Sequence, residues 1–264
     1  MTSRVTDWDP SLYARFEGER SRPAAELLAR VALEAPRLIV DVGCGPGNST
    51  ALLARRFPAA ELVGIDTSDA MLATARQRLP GASFARADAA TWVPDRAPDL
   101  VFSNAALQWV PDHASLLSRL FGLVAPGGVL AVQMPDNLAQ PSHRLMREVA
   151  ASGPWAGAIG DPAVAGRLGR MLSADAYYDL LAREAAQVDL WHTTYQHRMA
   201  DARAIVDWVR ATGLRPFVDP LSPDLASGFL SAYEDAIDRT YGVRADGMRL
   251  LAFPRLFVVA RRPA

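Results

Sequence analysis

The sequence contains no lysine. All 28 basic residues are arginine, set against 29 acidic ones, and the formal net charge is -1. Lysine nucleophiles and Schiff bases are therefore excluded. So even a balance does not match a general binder of nucleic acid or membrane surfaces. Cys44 is the single cysteine. This rules out a disulfide within the chain and any zinc cluster built from thiolates. The four histidines, His113, His143, His192 and His197, fall in no ligand spacing of the H-E-x-x-H kind, so no metal is expected. The opening "MTSRVTDWDP" lacks the apolar core of a signal peptide, and no apolar stretch is long enough to span a bilayer. The expectation is a cytoplasmic protein with no membrane and no nucleic-acid partner.

What is present is ample material for a core. Half of the 264 residues are hydrophobic, and the length suits one domain with insertions. Residues 11–34 read as helical, with Pro23 opening a second helical piece. Residues 38–42 and 61–65 are apolar strands, the second ending at Asp66. "TSDAMLATARQRL" is a helix capped by Thr67 or Ser68. Shorter strands follow at Ser83–Arg86 and Leu100–Ser103. "HASLLSRLFGLV" is a helix, and "VLAVQM" is a strand. This alternation predicts parallel βαβ units, hence a doubly wound α/β sheet. Beyond it lie helices in "SHRLMREVAAS", "SADAYYDLLAREA", "DARAIVDWVRATG" and "DLASGFLSAYEDAIDRTYG". The expected strands there are "VDLWHTTYQHRM" and "LFVVARR". "GPWAGAIGDPAVAG" reads as a loop.

The chemistry concentrates in "DVGCGPGNST". The turn is G-x-G-x-G (Gly43, Gly45, Gly47), not the G-x-G-x-x-G of dinucleotide enzymes. A pyrophosphate needs free backbone N–H groups at a helix start, and Pro46 has none to offer. A cofactor that needs close backbone approach but carries no phosphate fits better, and S-adenosylmethionine is one. Asp66, at the end of strand two, can accept from both ribose hydroxyls. Asp88, after strand three, can accept from an adenine amino group. Trp92 and Ile65 offer apolar surface to the ring. Asp41 fixes the turn or meets the cofactor's ammonium. In a doubly wound sheet these acids, the turn and Asn104 all lie beyond carboxyl ends of strands, where ligands bind.

The chain resembles the class I S-adenosylmethionine-dependent methyltransferases. The glycine turn marks that broad superfamily. A narrower resemblance, to a family acting on a small tricarboxylic acid, rests on "DWDPSLYARFEGERSRPAAELLARV", "NAALQWVPDH", "GGVLAVQMPDN", "HRLMREVA", "IVDWVRATGLRP" and "LLAFPRLFVVARR". These stretches run from Trp8 to Arg262; the departure is at "SGPWAGAIGDPAVAGRLGRML". The resemblance implies a Rossmann-like sheet, mostly parallel with the last strand antiparallel, and helical insertions. It implies a single methyltransferase domain over 1–264: a helical lid at 1–36, a cofactor-binding core at 37–136, and substrate-side helices and final strands at 137–264. It implies methyl transfer from S-adenosylmethionine to a carboxylate of trans-aconitate, leaving a monomethyl ester and S-adenosylhomocysteine. Cofactor contacts are expected at Tyr13, Asp41, Gly43, Gly45, Gly47, Asp66, Asp88, Ala89 and Asn104.

A carboxylate is already ionised at neutral pH and needs no general base. No catalytic triad is expected, only alignment and exclusion of water. A polycarboxylate substrate needs cations that stay charged, and the planar fork of arginine suits it. Arg20 and Arg22 in the lid, Arg215 in "TGLRP" and Arg255 before the last strand are the substrate-binding candidates. Tyr195 and Trp208 add hydroxyl or ring contacts. Gln108, Trp109 and His113 follow strand four, where the methyl group emerges. Two alternatives stand beside this reading. One is an O-methyltransferase for another small acid or a hydroxyl, the latter needing a base such as His113. The other is a non-catalytic protein that binds S-adenosylmethionine.

Overall fold

A computed structural model of the chain describes residues 17–162, 171–210 and 212–264, without the side chains of 17–20. Seven strands form one sheet in the order β3-β2-β1-β4-β5-β7-β6. The strands are β1 Leu38–Val42, β2 Glu61–Asp66, β3 Ser83–Arg86, β4 Leu100–Asn104, β5 Val129–Pro135, β6 Gln187–Met199 and β7 Arg249–Arg261. The pairs β1–β2, β1–β4, β2–β3 and β4–β5 are parallel, and the last strand is antiparallel. The expected mixed α/β sheet is therefore present. Chain order reverses between β1 and β4, which is where an open α/β sheet forms its ligand crevice.

The described residues fall into two compact units. The first lies within 1–135, 168–193 and 256–264; the second lies within 136–167 and 194–255. In the first, β1, β4 and β5 are buried almost end to end, because helices cover both faces of a parallel sheet. One core layer joins Val40, Val42, Val101, Leu130 and Val132 to Leu116, Leu117, Leu120 and Phe121 of helix His113–Leu123, and to Tyr177 and Leu181 of helix Ala174–Leu181. Each such side chain contributes about 1.5–3 kcal/mol by leaving water.

Three local expectations are corrected. The first described helix, Glu17–Ala29, runs through Pro23 rather than starting anew there. Proline removes one helical hydrogen bond, but Leu27 and Leu28 are buried and the helix packs on β5 and on helix Asn48–Arg56. It stops before residue 34 because Arg30 and Val31 donate to carbonyls only three residues back. The last strand begins at Arg249, seven residues before the expected start. The Asp136 N–H donates to the Pro254 carbonyl at 2.9 Å, and the strand runs through Pro254. The stretch 153–162 is not plain loop. Trp155 is buried, donates its ring N–H to the Val149 carbonyl at 2.7 Å, meets Phe229 edge-on and precedes the short helix Ala156–Ile159. Residues 163–166 of the expected loop lie outside the described residues.

The second unit packs helices beside parts of β6 and β7. Helix Pro223–Thr240 packs against Pro141–Ser152 and Ala202–Arg210. Ser222 caps its start, and Arg249 closes its end by donating to the Asp238 and Tyr241 carbonyls.

Candidate active site

The glycine turn follows β1 directly. Gly43, Gly45 and Gly47 all take positive φ, at 71°, 53° and 87°, a region costly for residues with a β-carbon. Every N–H in the turn is engaged within the protein. Gly43 and Cys44 both donate to the Ile65 carbonyl, Gly45 to Asp66 Oδ2, and Gly47 to the Cys44 carbonyl; Pro46 has no N–H. A phosphate would find no donor in these five residues. At Gly45, by contrast, a β-carbon would meet nothing within 4 Å. The turn thus leaves bare backbone beside open space, room for a ligand that needs approach rather than anion binding.

Asp66 is held by two backbone donors, Gly45 N–H on Oδ2 and Ser68 N–H on Oδ1, each at 2.9 Å. The carboxylate is fixed at the end of β2, and each oxygen keeps further acceptor capacity. Asp88 lies exposed after β3, where Oδ1 accepts from the Ala90 N–H. The carbonyls of Ala89 and Trp92 accept from the Arg119 guanidinium, which fixes that loop. Trp92 is half-buried against the core. Ile65 is not available to an adenine ring, because it is 1% exposed within the core. Cys44 is a free, buried thiol whose pKa burial pushes up.

Asp41 is buried in β1. Its Oδ2 accepts from the hydroxyls of Ser49 and Thr50, both at 2.7 Å. These two residues went unrecognised in the sequence, although they follow the turn in "GNST". Only the strand–helix geometry brings them back onto a residue eight or nine positions earlier.

The loop after β4 is strained. Ala105 takes φ 56°, unusual for a residue with a side chain. It is held by its N–H to the Gln133 carbonyl and by Gln108 Nε2 donating to its own carbonyl, each at 2.8 Å. That bond leaves Gln108 Oε1 as an acceptor. Residues at the ends of β1 and β4 and just beyond them then share one chemical feature. Asp41 Oδ1, Asn48 Oδ1, Asn104 Oδ1 and Gln108 Oε1 are buried oxygens with no hydrogen-bond partner among the described residues. Buried polar atoms are normally paired. Acceptors left over beside a turn with no spare donors fit a ligand bearing cationic N–H groups. The ammonium of S-adenosylmethionine meets that description, and a pyrophosphate does not.

His113 is buried at the start of its helix. Its Nδ1 lies 2.6 Å from the Tyr177 hydroxyl, which also accepts from the Leu172 N–H. Burial lowers the imidazole pKa, with the Leu107 carbonyl and Asp112 pulling weakly the other way. It is neither a surface residue nor a helix cap. Tyr177, 64 residues away, carried no signal in the sequence. Trp109 ends the turn Leu107–Trp109, where it is half-buried.

The remaining candidates divide. Tyr13 and the side chain of Arg20 lie outside the described residues. Arg22 is exposed and pairs with Glu26 at 2.8 Å. In the second unit, Tyr195, Trp208 and Arg255 come together with His197 and Phe253. His197 stacks on Tyr195 and lies against Trp208, and the Arg255 guanidinium sits 5.0 Å from the Phe253 ring centre. Arg255 is 4% exposed, whereas most of the other arginines are solvated. Arg215 lies at the start of helix Arg215–Val218, 3.5 Å from Asp219. Among the described residues no three His, Cys, Asp or Glu side chains could hold a metal ion, and no helix is long and apolar enough to cross a membrane.

Residues 39–128 match a family model described as "Methyltransferase domain". The chain is 74% identical over 258 residues to the trans-aconitate 2-methyltransferase of Methylobacterium radiotolerans, covering 98% of this chain and 99% of that one. It is 62% identical to the protein of that name from Variovorax paradoxus, over 98% and 100% of the two chains. Among solved structures, Haemonchus contortus phosphoethanolamine N-methyltransferase 2, in complex with phosphomonomethylethanolamine and S-adenosylhomocysteine, superposes with TM-score 0.60 at 17% identity. The match covers 99% of this chain but 59% of that one. The YcgJ protein of Bacillus subtilis gives TM-score 0.59 at 11% identity, over 92% and 99%. The structural likenesses establish the fold; the full-length identities place the chain in the trans-aconitate 2-methyltransferase family, to which it belongs.

Proposed function

We propose that the protein methylates a carboxylate of trans-aconitate, using S-adenosylmethionine and leaving a monomethyl ester and S-adenosylhomocysteine. The observation that carries the cofactor reading is the set of unpartnered buried oxygens beside a turn whose N–H groups are all engaged. The names and identities of the relatives support the acceptor.

The bound cofactor supplies a methyl group on a sulfonium, an electrophile that an ionised carboxylate attacks directly. The chain's own work is binding, orientation and exclusion of water. Asp66 receives the ribose hydroxyls, with its oxygens pre-set by Gly45 and Ser68. Asp88 and the neighbouring Ala89 receive the adenine. Asp41 Oδ1 and Asn104 Oδ1 receive the ammonium, and Gly43, Gly45 and Gly47 keep the backbone low beside it. Tyr13 completes the cofactor contacts.

For the acid, Arg255 is the leading partner, with Tyr195 and Trp208 beside it and Arg215, Arg20 and Arg22 as further cations. Gln108 and Trp109 border the methyl group. His113 is assigned no proton transfer: a carboxylate requires no base, and its Nδ1 is engaged by Tyr177. Residues 1–36 act as lid, 37–136 as cofactor core and 137–264 as the substrate side, in one cytoplasmic enzyme. An assay with labelled S-adenosylmethionine against trans-aconitate, cis-aconitate, citrate and isocitrate tests the reading. Preferential labelling of trans-aconitate is expected; equal or absent labelling would sink it.

A further inference from the structure

Asp41 is the one acid of the cradle wholly removed from water, at 1% exposure. Its two oxygens are in opposite circumstances. Oδ2 accepts two hydroxyl hydrogens, from Ser49 and Thr50. Oδ1 accepts none. Both hydroxyl residues are themselves buried, in the first turn of the helix that follows the glycine turn. Two short bonds to one oxygen fix the rotation of the carboxyl group, so the position of the other oxygen is fixed as well.

We propose that Ser49 and Thr50 are positioning residues that hold Asp41 with Oδ1 ready for the cofactor's ammonium, and that cofactor binding expels a proton from the Asp41 carboxyl into solvent. The inference rests on the S-adenosylmethionine reading above. The step breaks the Asp41 O–H bond and leaves its electron pair on the carboxylate. The proton goes to buffer, the ammonium keeps all of its own, and nothing is oxidised or reduced.

The surroundings give that proton a reason to be present beforehand. Burial pushes the Asp41 pKa up to about 6, with the hydroxyls of Thr50 and Ser49 opposing and the Asp66 carboxylate reinforcing. The helix Asn48–Arg56 meets it through the two hydroxyls. β4 pairs beside it with Phe102 and continues to Ser103 and Asn104, none of them ionisable. Cys44, in the turn, has its thiol pushed up by burial and by Asp41 and Asp66, with Arg76 opposing, and it stays neutral. Among the described residues no cation acts on Asp41 itself, so a cationic ligand is the natural partner for its ionised form.

Calorimetric titration with S-adenosylhomocysteine tests this without any turnover. It is run between pH 5 and 8 in buffers of different ionisation enthalpy, which counts the protons released. Release of about half a proton is expected near pH 6 and almost none at pH 8, with affinity about tenfold weaker at pH 5 than at pH 8. Thr50→Val removes one bond that favours the charged carboxyl, so the release should move up by about one pH unit. Thr50→Ser should restore it, and Ser49→Ala serves if Thr50→Val fails to fold. A purely structural hydroxyl would alter the melting temperature and leave the proton count where it was. Release that is absent near pH 6, unmoved by Thr50→Val, or persistent in Asp41→Asn would overturn the inference and spare the cofactor reading. S-adenosylmethionine should match its product, since both carry the ammonium; release with S-adenosylmethionine alone would overturn the assignment to that group. Absence of binding at every pH would overturn the cofactor reading itself.

Discussion

Gly43 and Ala106 share a space that admits one methyl group: a β-carbon on Gly43 would stand 2.1 Å from the Cβ of Ala106. The turn after β1 and the loop after β4 therefore touch through a missing side chain. Gly43→Ala must push the two apart and also place alanine at φ 71°. A loss of about 2–4 kcal/mol is expected from overpacking and the left-handed backbone, read as a lower urea midpoint, together with loss of cofactor binding.

Gly45→Ala should separate those two effects. Its φ is 53° but its β-carbon would enter open space, so the stability cost should stay near 1–2 kcal/mol. The new methyl group stands where a ligand approaches the turn. Affinity for S-adenosylhomocysteine should fall at least tenfold, a loss of about 1.4 kcal/mol. Wild-type affinity in this variant would mean that the open side of Gly45 is not the cradle.

Asp41→Asn should stabilise the fold while damaging the site. A carboxyl raised from 3.8 to about 6 favours the folded state in its protonated form. That contribution is complete below about pH 4 and is lost as pH rises through 6. Asparagine keeps one oxygen for the Ser49 and Thr50 hydroxyls and never ionises. Its advantage over the wild type should grow to about 2–3 kcal/mol between pH 4 and pH 7, measured by denaturant unfolding at several pH values. A difference that does not vary with pH would contradict the raised pKa.

Tyr177→Phe should leave catalysis nearly intact. It strips partners from His113 Nδ1 and the Leu172 N–H, both in buried surroundings, at about 1–3 kcal/mol in stability. Because a carboxylate nucleophile needs no base, kcat should change by no more than a few-fold. A hundredfold fall in kcat with unchanged cofactor affinity would give the His113–Tyr177 pair a part in proton transfer.

Arg255→Met should raise KM for trans-aconitate at least tenfold and leave the dissociation constant of S-adenosylhomocysteine alone, since arginine–carboxylate pairs are strong and directional. Arg215→Ala, at a partly exposed guanidinium already beside Asp219, should raise KM by less. Equal KM values in wild type and Arg255→Met would remove Arg255 from the substrate site.

The legible parts of the fold are those in which one residue pattern reports burial directly. β1, β4 and β5 are covered on both faces and β2 largely so, and they read as short apolar runs closed by Asp, Gly or Asn. The same runs delivered Asp41, Asp66 and Asn104 at the strand ends. What escaped depends on partners distant in sequence. The stretch of β7 before Leu256 shows itself only once the Asp136 N–H is found on the Pro254 carbonyl. Trp155 sits in a glycine- and alanine-rich stretch and is buried against Phe229, 74 positions on in the chain. Tyr177 meets His113 across 64 residues. The unpartnered oxygens could not be read at all, because a sequence names acceptors and not the donors they fail to find.

The order of the strands sets a condition on dissecting this protein. All the glycines and acids of the cradle precede residue 135, within and just beyond the segment 39–128 that carries the methyltransferase match. Yet β5 pairs on one side with β4 and on the other with β7, which arrives only at residue 249. A fragment ending after β5 would hold the entire cradle and expose the edge of a strand whose residues Val129–Met134 are all buried in the whole chain. An unpaired, apolar edge of that length is a template for association between chains. Such a fragment should aggregate rather than bind, so the minimal unit that retains the cofactor must reach the end of the last strand.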